Sequence, residues 1–134
     1  VLDAIDPPEL VGPNDGAATL VGFGSTWGVV LEAIEKLASE NNIVVNQLHI
    51  KWIVPFHADA ISSVLADSQK IIIVENNYSG QFARYLRSET GIKGDAHIRK
   101  YDGEPFMPHH IVDGVKAILA RETDLYVPTH EMMV

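Results

Sequence analysis

Lys70-Ile71-Ile72-Ile73-Val74 is the stretch that most restricts what this chain can fold into. An unbroken β-branched run of that length suits a strand buried on both faces, as in the middle of a parallel sheet. It stops at Glu75-Asn76-Asn77, and Ser79-Gly80 then opens a helical pattern with Phe82, Tyr85 and Leu86 on one side. Buried strand, polar turn and amphipathic helix form the repeating unit of an α/β sheet. In open sheets of that kind, ligands and partners gather at the carboxyl ends of the strands. Glu75 is therefore the first candidate for a functional role.

The flanking sequence repeats the unit. Residues 17–23 read as the first strand, and Ser25 and Thr26 as caps of a helix running to about Glu40. Trp27, Val30, Ile34 and Leu37 form that helix's inward stripe, and Asn41-Asn42 ends it. A second strand spans 43–54 and stops at Pro55; a helix over 58–67 buries Ile61, Val64 and Leu65. Gly91 closes the helix after the central strand, and 97–101 is a shorter, more polar strand nearer an edge. After a turn at 102–105, Pro108 precedes a helix to about Arg121 with Ile111, Val115 and Ile118 inward. The alternation predicts an α/β fold: a three-layer α/β/α domain on a mostly parallel sheet of four to five strands. Right-handed crossovers are expected to put helices on both faces. Residues 1–16 read as a linker or edge strand, with Leu10-Val11 as the strand candidate, 17–121 as the domain and 122–134 as a C-terminal arm.

Charge narrows the partners. Of the net −8, Asp3, Asp6, Glu9 and Asp15 place −4 in residues 1–16, and Glu122, Asp124 and Glu131 place −3 in 122–134. That leaves −1 on the body, so nucleic acid, which needs a basic footprint, is not expected as a partner. No apolar run is long enough to cross a membrane, and none is expected as a partner. Cysteine is absent, which removes thiol catalysis and cysteine-held clusters from this chain and is compatible with a cytoplasmic location. A start at Val1 in a linker-like segment suggests a piece of a longer polypeptide.

Three constellations could carry chemistry. Gly22-Phe23-Gly24-Ser25-Thr26-Trp27-Gly28 follows a strand and opens a helix, so a stand-alone nucleotide- or anion-binding module is the rival reading. Its spacing is GxGxxxG, and the second strand carries His49-Ile50-Lys51-Trp52 where a ribose-binding acid belongs. Without a nucleotide, Gly24 serves a tight turn and Ser25 a cap. The six histidines show no HxxxH or HExxH spacing, so no metal site is expected. Glu75, with Asn76 and Gln81, could act in proton transfer, brace the fold or form an interface; bracing or interface is favoured, with assembly ahead of folding. Ser25 and Thr26 lack a GxSxG elbow, which removes nucleophilic catalysis.

Taken in order, VGFGSTWG, PFHADAI, IIIVENNYSGQFARYLRSETG and KYDGEPFMP resemble one family over about residues 19–118. It is the C-terminal, transketolase-C-terminal-like domain of the alpha subunit of 2-oxoacid:ferredoxin oxidoreductases. The ENNxxGQ form is similar to the 2-oxoglutarate or broad 2-oxoacid branch, and His57 stands where the family often has proline. The resemblance implies a complex that oxidatively decarboxylates a 2-oxoacid with coenzyme A, giving acyl-CoA, carbon dioxide and reduced ferredoxin. Thiamine diphosphate, magnesium and iron–sulfur clusters would be held by other domains and by the beta subunit, with none bound by this domain alone. It implies a non-catalytic assembly domain that meets those partners through Gly24, Ser25, Thr26, Glu75, Asn76, Gln81, Tyr101 and Asp102. It also implies a five-stranded sheet with one antiparallel strand, for which Leu10-Val11 is the candidate.

Overall fold

The computed structural model describes residues 8–13, 15–51, 57–76, 81–100 and 104–128, with Ser25 described by its backbone alone. Strands β1 (Leu10–Val11), β2 (Thr19–Phe23), β3 (Asn46–Ile50), β4 (Ile71–Glu75), β5 (Ala96–Arg99) and β6 (Leu125–Tyr126) form one sheet in the order β1-β3-β2-β4-β5-β6. Only β1 runs antiparallel, pairing Leu10 with Leu48 and Val11 with Gln47. Helices α1 (Trp27–Asn41), α2 (Ala58–Ala66), α3 (Gln81–Thr90) and α4 (Pro108–Leu119) complete three layers.

The apolar run at β4 does what its composition demands. Ile72 and Val74 point to one face, where they join Leu20, Ala96 and Ile98 under Val30, Ala33 and Leu37 of α1 and Ile111, Val115 and Ile118 of α4. Ile71 and Ile73 point to the other, with Val21, Leu48 and Ile50 under Ile61 and Leu65 of α2 and Phe82 and Leu86 of α3. Ile72, Ile73 and Val74 are fully buried because their strand has paired neighbours on both sides and helices above and below.

Helix ends follow local chemistry. Asn42 adopts a left-handed conformation with φ 54° and donates its N–H to Leu37 O, ending α1 where the paired asparagines predict. Gly91, φ +77°, closes α3 by donating to Arg87 O at 2.7 Å. In the middle of α4, Gly114 lets the helix settle on β5 and β6, since a Cβ there would lie 2.8 Å from Ile98 Cδ1 and 3.0 Å from Tyr126 Cδ2.

Several expectations need correction. The sheet has six strands, because Leu125–Tyr126, placed in the arm, pairs parallel to β5 with His97 opposite Leu125 and Ile98 opposite Tyr126. This makes β5 second from the edge. Described β3 is shorter than 43–54, and its expected stop at Pro55 lies outside the described residues. Trp27 is 41% exposed rather than inward, because it begins α1 level with the strand ends, beyond the sheet it was expected to cover.

The crossover expectation also fails in one place. The β4–α3–β5 and β5–α4–β6 connections step the same way across the sheet, yet α3 lies on the α2 face and α4 on the α1 face. Two connections that step alike on opposite faces have opposite hands. The α1, α2 and α3 connections share one hand, so the α4 connection is the exception. Packing supplies the reason: α4 gains α1 as a neighbour and completes the larger core cluster.

Ile72→Ala is expected to cost about 2–5 kcal/mol in urea unfolding, by opening a cavity between the sheet and the helices α1 and α4. A loss under about 1 kcal/mol would mean that β4 is not the sheet's buried centre.

Candidate functional site

The candidates sit at the carboxyl ends of neighbouring strands. β2 and β4 pair directly, Gly22 opposite Val74, so the strands that lead to α1 and α3 end side by side. The Phe23 ring, 38% exposed, stacks on buried Phe82 at 5.5 Å and 11°, tying the end of β2 to the first turn of α3.

Glu75 ends β4 and is 5% exposed. A carboxylate is buried at tolerable cost only when its oxygens are hydrogen-bonded. Here Oε1 accepts from the Phe82 N–H at 2.9 Å and Oε2 from the Ala83 N–H at 3.2 Å. Those amides lie in the first turn of α3, where backbone N–H groups lack helical acceptors and the helix dipole favours a negative charge. Both oxygens are engaged inside the chain, which braces α3 against the end of β4. A carboxylate so held is poorly placed to take a proton from a substrate.

Asn76 is exposed and its Nδ2 donates to Glu104 O at 3.5 Å, a long contact to the turn before α4. Gln81 begins α3 and is exposed. Tyr101 and Asp102 lie outside the described residues.

At the β2 end, Gly24 has φ +74° and open space where a Cβ would point, which suits the single 3-10 turn Gly24–Thr26 ahead of α1. Thr26 is the residue before α1 but makes no side-chain cap; its buried Oγ1 donates back to Phe23 O at 3.4 Å. Capping by Thr26 was expected and is replaced by this backward bond, because the 3-10 turn brings the hydroxyl over β2. A side chain at Gly22 would meet Thr26 Oγ1 at 2.6 Å, so the strand end is built around that hydroxyl.

Of the three buried polar residues of β3, Asn46, Gln47 and His49, the last two lie beside Trp27 and escape the sequence reading. Gln47 is fully buried with Nε2 3.5 Å from Trp27 O, and His49, 7% exposed, meets the Trp27 ring edge-on at 5.3 Å. Burial holds the His49 pKa below its ordinary value, helped by the Lys51 charge and opposed by a hydrogen bond to the Gly24 backbone. Their signal was the alternation Gln47-Leu48-His49-Ile50, unusual in a strand buried on both faces. Neutral His49, Trp27 and the Gly24 turn make a packed joint, and β3 brings no acid to a ribose. Among the described residues, no group of three His, Asp or Glu side chains is placed to hold a metal ion. No helix formed by them is long and apolar enough to cross a membrane.

This architecture matches a known domain: the family model for the transketolase C-terminal domain covers residues 11–98. The chain belongs to the transketolase C-terminal domain family. Its relatives there are alpha subunits of 2-oxoacid:ferredoxin oxidoreductases. It is 34% identical over 121 residues to "2-oxoacid:ferredoxin oxidoreductase 2, subunit alpha" of Aeropyrum pernix, covering 90% of this chain and 19% of that protein. The corresponding alpha subunit of Saccharolobus solfataricus is 32% identical over 113 residues, covering 84% of this chain and 18% of the relative. The chain thus spans about a fifth of the length of these curated relatives.

Two solved structures share the fold at 33% identity. The 2-oxoglutarate:ferredoxin oxidoreductase of Magnetococcus marinus, solved with 2-oxoglutarate, coenzyme A and succinyl-CoA, superposes with a TM-score of 0.76 over 86% of this chain and 20% of that one. The alpha chain of a probable 2-oxoacid ferredoxin oxidoreductase from Thermoplasma acidophilum gives 0.60 over 85% of this chain and 97% of that one.

Glu75→Ala is expected to destabilise the chain by about 1–3 kcal/mol, since it leaves the Phe82 and Ala83 amides without acceptors in a confined site. Urea melts at neutral pH measure this; an unchanged midpoint would show that water or other groups satisfy those amides equally well.

Proposed function

We propose that this chain is the C-terminal assembly domain of a 2-oxoacid:ferredoxin oxidoreductase alpha subunit. The whole complex oxidatively decarboxylates a 2-oxoacid to its acyl-CoA and passes the electrons to ferredoxin. The observation that carries this reading is the match to the Magnetococcus marinus enzyme, 33% identical and superposing at a TM-score of 0.76 over most of the chain.

The chemistry of the residues supports a non-catalytic role. The buried acid best placed for proton transfer, Glu75, is engaged by two helix amides. The chain has no cysteine to ligate an iron–sulfur cluster. Thiamine diphosphate, magnesium and the clusters belong, on this reading, to other domains of the alpha subunit and to the beta subunit, in a cytoplasmic complex. This domain supplies a rigid sheet end. Exposed Phe23, Trp27, Asn76 and Gln81, with Gly24, lie at the ends of β2 and β4 and the starts of α1 and α3, and they form the surface offered to those partners.

The purified chain, given thiamine diphosphate, magnesium, coenzyme A and a range of 2-oxoacids, is expected to show no 2-oxoacid-dependent dye reduction. Co-expressed with the remaining parts of such an enzyme, it is expected to co-purify in a defined ratio. Turnover by the chain alone, or failure to co-purify, would contradict the proposal.

A further inference from the structure

The turn between β2 and α1 is seated on an imidazole. Alternation along β3 sends Leu48 and Ile50 to the α2 face and Gln47 and His49 to the α1 face, where Gly22 of β2 lies opposite His49. Glycine leaves a slot at that point: a Cβ on Gly22 would lie 2.6 Å from Thr26 Oγ1 and 3.8 Å from His49 Nδ1. His49 fills the slot, 7% exposed, with its ring 5.3 Å from that of Trp27, which is 41% exposed. Gln47, on the same face, donates to Trp27 O at 3.5 Å, so both polar side chains of β3 hold the first residue of α1.

The slot is built for a neutral ring. His49 Nδ1 is buried and has no hydrogen-bond partner among the described residues. Gly22, Gly24, Thr26 and Trp27 surround the ring from β2, the 3-10 turn and α1, and none of them titrates. On the other flank β1 starts at Leu10, and Glu9 before it is exposed and is not among the charges that act on His49. The charge that does act is that of Lys51, just past the end of β3. Burial and this like charge both oppose a proton, outweighing the Gly24 backbone interaction that favours one.

We infer that His49 is a proton-operated positioning residue: neutral, it seats Trp27 and the Gly24 turn, and protonated, it leaves the slot and disturbs the surface they form. Acid therefore weakens docking at this end of the sheet. A partner that covers Trp27 buries His49 more deeply, so the docked form takes up a proton less readily than the free one. Docking is then strongest above the ordinary imidazole value of about 6.5 and weakens as pH falls below it. That the partner is the rest of the oxidoreductase rests on the reading given under Proposed function.

NMR of the chain alone and a binding series test the joint. As pH falls from about 7.5 to about 5, the assigned Trp27 indole signal is expected to shift together with the His49 ring, with one midpoint below about 6.5. Lys51→Gln, an exposed change that removes the like charge, should raise that midpoint. His49→Gln should abolish the Trp27 shift, and His97→Gln should leave it intact. A Trp27 signal that ignores His49 would overturn the inference. So would a midpoint at or above about 6.5, which would mean that the indole face welcomes the charge. If His49→Gln does not fold, the Lys51→Gln midpoint decides: a rise supports the joint and no change overturns it. Affinity for the remaining enzyme subunits is expected to fall about threefold or more over the same range for the wild type, and less for folded His49→Gln; equal pH dependence would contradict the joint. Absence of binding at every pH would sink the enzyme reading alone, and the Trp27 titration then decides the joint by itself.

Discussion

A buried carboxylate at the end of a buried strand constrains everything around it. Glu75 can occupy its site, 5% exposed, only if something donates to both oxygens, and the first turn of α3 does so through Phe82 and Ala83. That requirement fixes where α3 begins relative to β4 and seats Phe82 against Phe23 at the end of β2. The central pair of strands and the helix above them are thereby locked by one ionic group and one aromatic stack. Charged hydrogen bonds of this sort are roughly twice as strong as neutral ones, and a helix N-terminus adds its dipole.

The rigidity has a functional consequence. A sheet end whose acid is internally engaged, and whose histidine is held neutral beneath a tryptophan, offers shape more than reactivity. That is the property an assembly domain requires: its turns must present the same surface each time the larger enzyme forms. Phe23 at the end of β2 and Trp27 at the start of α1 leave exposed aromatic surface beside that sheet end.

Much of the fold was legible because it follows from periodicity. The run through Ile71, Ile72 and Ile73 could hardly be anything but a strand buried on two faces, and Asn42 and Gly91 mark helix ends by their tolerance of positive φ. Even the antiparallel edge at Leu10–Val11 was visible once the resemblance demanded another strand. What stayed hidden depends on distance in the chain. Glu75 was singled out, but its donors seven and eight residues on could not be read from spacing. Trp27 obeys the helical stripe and still lies exposed, since periodicity says which side faces in but not where the sheet beneath ends. Two-residue β6 carries too little pattern to be seen, and the hand of α4 is decided by its packing on α1.

Hydrogen exchange at two backbone amides tests the central claim most directly. First-turn helix amides ordinarily exchange fast because they have no helical acceptor. If the Glu75 carboxylate holds α3 to β4, the Phe82 and Ala83 amides should be protected nearly as well as those inside β4, and Glu75→Ala should abolish that protection while the β4 amides remain slow. Fast exchange of Phe82 and Ala83 in the wild-type chain would show that the carboxylate does not hold the helix, and the account built on it would fall.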